Sequence, residues 1–197
     1  MILPGSTVVI ATHNQGKLRE FQALLRPTGW RIEGLPAGAA TAPAESGATY
    51  AANARIKALD ATRFTPDPVL SDDSGLEVFS LGGRPGVHSA RYAGPGAPDS
   101  VRNARLLEEL RLAGGARDAR FVCALTLARS GTVLLEVEGE CRGTIAHAPR
   151  GGAGFGYDPV FLVPDLGRTF SELSEAEKGT LSHRARAVQV LLARLGE

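Results

Sequence analysis

Strands and helices alternate through the first third of this chain, and that alternation restricts the fold more than any other feature. Thr7–Ala11 (TVVIA) is a β-branched run bounded by Gly5 and Asn14, and it reads as a buried strand. Lys17–Arg26 follows as an amphipathic helix, with Leu18, Phe21 and Leu25 recurring at helical spacing and Pro27 ending it. Trp30–Leu35 reads as a second strand. The Ala-rich Tyr50–Phe64 reads as a second helix, stopped by Thr65-Pro66. Between them, Pro36–Gly47 is a small-residue, turn-like connection within one domain.

The second half changes character. Val69–Ser71 and Leu76–Phe79 read as short strands on either side of Asp72-Asp73-Ser74-Gly75, and Leu81–Pro98 as an ordered loop rich in Gly and Pro. Ser100–Leu112 is helical and ends at Gly114-Gly115. Arg120–Ala128 and Val133–Ala146 are long strands joined through Ser130-Gly131-Thr132, a hairpin. Glu136, Glu138 and Glu140 alternate with Val137 and Cys141, as on a solvated sheet face. Val160–Val163 is a further strand, Ser174–Glu177 carries a capping box, and Arg184–Leu195 is a strong final helix. Early strand–helix alternation with a late hairpin predicts an α/β fold with a mixed sheet.

At 197 residues the chain suits one domain spanning 1–197 with a real hydrophobic core. Hydrophobic residues make up 43% and charged residues 22%, so it is not a disordered tail. A formal net charge of +1 argues against sequence-independent nucleic-acid binding, and no apolar run approaches a membrane span. The first residues lack the basic and apolar regions of a secretory signal, which predicts a cytoplasmic protein. Cys123 and Cys141 form neither a disulfide framework nor a Cys-x-x-Cys zinc site.

Of 22 basic residues only three are lysines, Lys17, Lys57 and Lys178, and in so arginine-biased a chain a surviving lysine points either to a use for a compact ammonium or to chance. All three fall in segments with chemical content. Thr12, His13, Asn14, Gln15, Gly16 and Lys17 lie at the entry to a helix, where unpaired N–H groups and the dipole suit a phosphate. The bland alternative is a helix cap by Asn14. Asp72 and Asp73 supply the one or two carboxylates that Mg²⁺ takes, or else form a solvated turn. Alternation along a strand lets only one of the pair lead into a given site. Glu45, in the small-residue connection, is a metal or water ligand or an exposed loop acid. It precedes the helix bearing Asn53 and Lys57 on one face. Gly151–Pro159 combines glycines that permit close backbone approach with Phe155 and Tyr157, suited to a planar base. It could equally be a turn anchoring a core. Lys178, His183 and Arg184 form a last polar group around a helix start.

Five segments, taken in order, resemble the inosine triphosphate pyrophosphatase family: ATHNQGKLREFQALL, ESGATYAANARIKA, SDDSGLEVFSLGGRPGVHSARYAG, GFGYDPVF and LSEAEKGTLSHRARA. The resemblance covers essentially the whole chain. It implies Mg²⁺-dependent hydrolysis of inosine and xanthosine triphosphates and their deoxy forms between the α- and β-phosphates. It also implies a homodimer of elongated two-lobed subunits, each with a central mixed sheet flanked by helices and a cleft between lobes. By motif, Thr12 through Lys17 would hold the triphosphate, with Lys17 countering charge on the departing pyrophosphate. Glu45 and Asp73 would hold Mg²⁺, Asp73 would be the general base, and Ser74 would follow it at the substrate. Phe155, Gly156, Tyr157 and Asp158 would frame the purine, completed by Lys178, His183 and Arg184. The family usually has an acid directly before the helix asparagine. Here that residue is Ala52, which shifts more of the metal role to Glu45. A Maf-type pyrophosphatase fits the Gly-Phe-Gly-Tyr-Asp and Ser-His-Arg segments less well, and a non-catalytic nucleotide-binding module would not need both Lys17 and Asp73.

Overall fold

The structure, a computed structural model, describes residues 2–36, 39 and 43–196. Part of the connection expected over 36–47, namely 37, 38 and 40–42, lies outside these. Seven strands form one mixed sheet in the order β2-β1-β3-β4-β5-β6-β7. They are β1 Thr7–Ile10, β2 Arg31–Gly34, β3 Val69–Val78, β4 Asp118–Arg129, β5 Thr132–Ile145, β6 Phe161–Val163 and β7 Arg168–Thr169. β1 pairs in parallel with β2 and β3, while β5–β6 and β6–β7 are antiparallel. The helices are α1 Gln15–Leu25, α2 Tyr50–Ala61, α3 Asp99–Ala113, α4 Glu175–Leu181 and α5 His183–Leu195. The predicted α/β fold with a mixed sheet is the fold observed.

Local chemistry sets the ends of these elements. Asn14 caps α1 by accepting from the Lys17 N–H, and Thr49 caps α2 by accepting from Ala52. α3 stops at Gly114, which is left-handed at φ 60°. The β4–β5 turn needs positive φ at both Ser130 and Gly131, which twists the chain the way a two-residue hairpin requires. The capping box at Ser174 and Glu177 is present as expected.

Two expectations are corrected. The two short strands flanking the aspartates are one continuous strand, β3, that runs straight through Asp72 and Asp73. The solvated turn, one of the two readings of the aspartate pair, is not formed. Two adjacent carboxylates are costly inside a sheet, and ion pairs from residues far away in sequence offset that cost here. The region 81–98 is not uniform loop but holds a 3₁₀ stretch at Gly86–Arg91. β7, only two residues long, gave no sequence signal at all.

The chain forms two compact units. The first contains residues 1–73, 123–139 and 183–197, and the second contains 74–122 and 140–182. In the first unit, Val8, Ile10 and Leu70 pack against Phe21 and Leu25 of α1 and Val188 and Leu191 of α5. On the opposite face, Val9, Ala11 and Val69 pack against Ala61 of α2. In the second unit, Phe121, Phe161 and Phe170 meet with centroids 4.6–5.8 Å apart, beside Leu106 and Leu110 of α3. Burying side chains of this size is worth ~1.5–3 kcal/mol each.

Candidate active site

Alternation along β3 sends its two aspartates to opposite faces. Leu70 and Asp72 share the face covered by α1 and α5. Val69, Ser71 and Asp73 share the face covered by α2, where the Ser71 hydroxyl donates to the Ala54 carbonyl. The pair therefore serves two separate charge clusters, as the alternation argument anticipated.

The first cluster centres on Asp72, which is fully buried. Its Oδ2 lies 2.9 Å from Lys17 Nζ and 3.4 Å from Arg184 Nε, and Arg184 Nη1 donates to Glu20 at 2.7 Å. Burial pushes the Asp72 carboxyl up, but Lys17, Arg184 and Lys57 outweigh it and hold the group well below the usual range. It is an anion at any physiological pH. Asp72 is held by β3 and Lys17 by the first turn of α1, so this pair fixes the ammonium between strand and helix. Thr12 Oγ1 accepts from the Asn14 N–H and thereby closes that turn. The cap reading of Asn14 is correct, and a capped helix entry still presents the remaining N–H groups of its first turn. His13, Gln15 and Gly16 belong to the same turn, and His13 also borders a small pocket with Ala11, Leu35 and Lys57.

The second cluster centres on Lys57. Its Nζ lies 2.8 Å from Glu45 Oε1 and 2.9 Å from Asp73 Oδ1, so one ammonium bridges two carboxylates. Asn53, one turn earlier on α2, donates to Asp73 Oδ2 at 3.2 Å and accepts from the Gly47 N–H at 2.8 Å. α2 thus grips the strand acid and the Glu45 segment together. Burial would lower the Lys57 pKa, but Asp72, Asp73 and Glu45 raise it, so Lys57 is cationic. For Asp73 burial wins, and its pKa is raised despite Lys57 and Lys17. A buried carboxylate with raised proton affinity is what general-base work asks for. Among the described residues no group of three or more His, Cys, Asp or Glu could hold a metal ion. The donor set is instead two hard carboxylates already sharing one cation. That suits an ion which takes one or two carboxylates and completes its shell with water and phosphate.

The third group lies in the second unit. Lys178 Nζ is 2.6 Å from Asp158 Oδ2 and 5.0 Å from the Phe155 ring centroid, a cation–π distance. Asp158 Oδ2 also accepts from the Phe155 N–H at 3.0 Å. Tyr157 is buried, its hydroxyl donates to the Ser89 carbonyl at 3.0 Å, and burial pushes its pKa up, so it stays neutral. Ser74 is the next residue of β3 after Asp73.

Lys178 and Arg184, read together from sequence, belong to different clusters. Lys178 pairs with Asp158, whereas Arg184 shares Asp72 with Lys17. His183 is buried at the start of α5. Sequence reasoning noticed Asn53 and Lys57 as an i, i+4 pair but gave them no role. It missed Glu20, although Glu20 lies one helical turn from Lys17. Asp72, left as the lesser of two aspartates, proves to be the anchor of the whole first cluster. Cys123 and Cys141 are buried, and burial pushes the Cys123 thiol far up, so Cys123 is not a nucleophile at neutral pH.

A model of the Ham1 family matches residues 8–194. A dITP/XTP pyrophosphatase of Gloeobacter violaceus is 54% identical over 187 residues, covering 94% of this chain and 92% of that protein. One of Thermus thermophilus is 49% identical over 192 residues, covering 97% and 92%. Among solved structures, a HAM1 protein of Coxiella burnetii superposes with a TM-score of 0.87 at 39% identity, covering 97% of this chain and 98% of that one. The Ham1 protein of Staphylococcus aureus does so with 0.83 at 37% identity, covering 96% and 98%. With the family model matching residues 8–194 and these relatives sharing both sequence and α/β fold, the chain belongs to the Ham1 family.

Proposed function

We propose that this protein hydrolyses the triphosphates of inosine and xanthosine, and their deoxy forms, to the nucleoside monophosphate and pyrophosphate. The observation that carries this reading is Lys57 bridging Glu45 and Asp73. It is a dense acid–cation cluster, partly open, on a chain whose relatives are named dITP/XTP pyrophosphatases. In the opposite charge sense, Lys17 and the first turn of α1 supply the positive end that a triphosphate needs.

Asp73 takes a proton from the water that attacks the α-phosphorus. Its two oxygens already accept from Lys57 and Asn53, which leaves lone pairs for the water because a carboxylate offers about four acceptor sites. Asn53 fixes the plane of that carboxylate. Lys17, held by Asp72, opposes the charge that builds on the departing pyrophosphate. Mg²⁺, where bound, would be held by Glu45 and Asp73 and would polarise the phosphate oxygens. The substrate itself is attacked by water, so no side chain becomes phosphorylated. Ala52, where the family pattern has an acid, leaves Glu45 as the acid that accompanies Asp73.

The base is selected by Phe155, Tyr157 and Asp158 together with Lys178. Inosine and xanthosine carry an acceptor oxygen at C6, and adenosine carries a donor amino group. Lys178 only donates. An adenine amino group facing it would leave a buried donor unpaired, and sites of this kind discriminate by ~10⁴–10⁵. The testing experiment measures pyrophosphate release with Mg²⁺ from ITP, dITP, XTP, ATP, GTP, dUTP and TTP. ITP and XTP are expected far above ATP, with GTP low. Similar kcat/KM for ATP and ITP would refute the donor pocket and the assignment with it.

We also assign the working form as a homodimer in the cytoplasm, on the strength of the family resemblance. Light scattering on the purified protein tests the first. No helix among the described residues is long and apolar enough to cross a membrane.

A further inference from the structure

Gly156 sits in the middle of the Phe155–Asp158 turn with φ +64°, and both of its peptide groups are held by one face of α3. Asp99 Oδ2 accepts from the Gly156 N–H at 2.6 Å, and Asn103 Nδ2 donates to the Gly156 carbonyl at 3.1 Å. Asp99 and Asn103 are four residues apart, so their side chains leave the helix on the same side. Asp99 is itself steadied by Arg102, which also donates to the Ala90 carbonyl at 3.0 Å and to that of Ala97.

Asn103 is an unexpected residue for this place. It is 3% exposed, and its Oδ1 has no hydrogen-bond partner among the described residues. A buried acceptor left unpaired is a cost that leucine at the same position would avoid. Its neighbours on α3, Leu106 and Leu110, are core residues of the ordinary kind. What Asn103 delivers in return is its single bond to Gly156.

The consequence reaches the base-facing groups. The Phe155 N–H donates to Asp158, the Phe155 carbonyl accepts from the Asp158 N–H at 3.2 Å, and Gly156 is taken by α3 at both ends. With these peptide groups spent, the turn meets a purine through the Phe155 ring and the Lys178–Asp158 pair. Their positions depend on how firmly Gly156 is held.

We propose that Asp99 and Asn103 are specificity-positioning residues that clamp the Gly156 peptide and so set the Phe155 ring and the Lys178–Asp158 pair for a 6-keto purine. This rests on the reading of 155–158 as the purine end of the site. Neither residue touches the substrate. Losing a bond of this kind is felt in base binding and not in the chemistry at phosphorus, which raises KM while leaving kcat in place.

The experiment uses Asp99→Ala, Asp99→Asn, Asn103→Ala and Asn103→Ser in the full chain. It reads the Kd of inosine monophosphate by calorimetry, kcat and KM for ITP and ATP, and Tm. Asp99→Ala and Asn103→Ala are expected to raise the KM for ITP and the Kd of the monophosphate by about tenfold, the worth of one strong hydrogen bond. Their preference for ITP over ATP falls, while kcat for ITP stays within about twofold. Asp99→Asn keeps an acceptor oxygen and returns to wild-type behaviour, and Asn103→Ser falls between. Unmoved KM, Kd and base preference in both alanine variants would overturn the proposal, as would kcat and Tm dropping together with KM unchanged. Should Asn103→Ala fail to fold, Asp99→Ala, at a partly exposed side chain, decides alone. A wild-type protein that releases no pyrophosphate from ITP or XTP overturns the proposed function and this clamp together. An active wild type with unmoved variants overturns the clamp only.

Discussion

Asp72 and Asp73 are neighbours of the same chemical type, and their environments give them opposite properties. Asp72 meets two cations in full burial and is held as a permanent anion. Asp73 meets one cation, an amide and a second acid, and burial raises its proton affinity. An acid whose folded pKa lies above its unfolded value weakens folding at neutral pH, where it is ionised in both states. Asp73→Asn is therefore expected to lower kcat by ~10²–10⁴ while leaving Tm equal to or above that of the wild type. Steady-state kinetics at saturating Mg²⁺ beside thermal unfolding checks both halves. Near-normal turnover would hand the base role to another group, and a large fall in Tm would make Asp73 a structural residue.

Elements in this protein approach closely where glycine permits it. A Cβ at Gly139 of β5 would lie 2.3 Å from the Ala187 backbone nitrogen and 2.6 Å from the His183 carbonyl oxygen. Both atoms belong to the α5 backbone, which cannot turn aside as a side chain does. α5 also carries Arg184, the partner of Asp72, so its seating sets the geometry of the first charge cluster. Gly139→Ala is expected to destabilise by about 3 kcal/mol or more, at the upper end of overpacking effects. The denaturant midpoint should fall accordingly at unchanged m value. A midpoint within experimental error of wild type would mean that α5 can retreat from β5 without cost.

For the molecule as a whole, the charge clusters dictate how stability responds to acid. The folded pKa of Asp72 is depressed. Its contribution is therefore present above the unfolded value, about 4, and is lost as pH falls below that toward the folded value. Asp72→Asn removes the contribution at all pH and strands two cations, at a cost of about 3 kcal/mol near neutrality. Unfolding free energies measured from pH 7 downward should show the wild type losing its advantage over Asp72→Asn below about pH 4. A gap that stays constant down to about pH 2 would show that Asp72 acts through packing and not through its charge.

Much of this was legible in the sequence, because the signals are local. A β-branched run marked β1, a long apolar run marked β4, helical spacing marked α1 and α5, and Asn14, Ser174 and Gly114 marked element ends by their own short-range hydrogen bonds or φ values. Three rare lysines in an arginine-biased chain pointed to the segments that hold the charge clusters. The tertiary structure alone decided that β3 continues through its two aspartates and that Lys57 joins Glu45 to Asp73. It likewise decided that Arg184 belongs with Lys17 and that α3 holds Gly156. The physical reason is common to all four. Whether a buried carboxylate is tolerable, or a glycine peptide is held, depends on partners 12 to 112 residues away, and no local pattern records them.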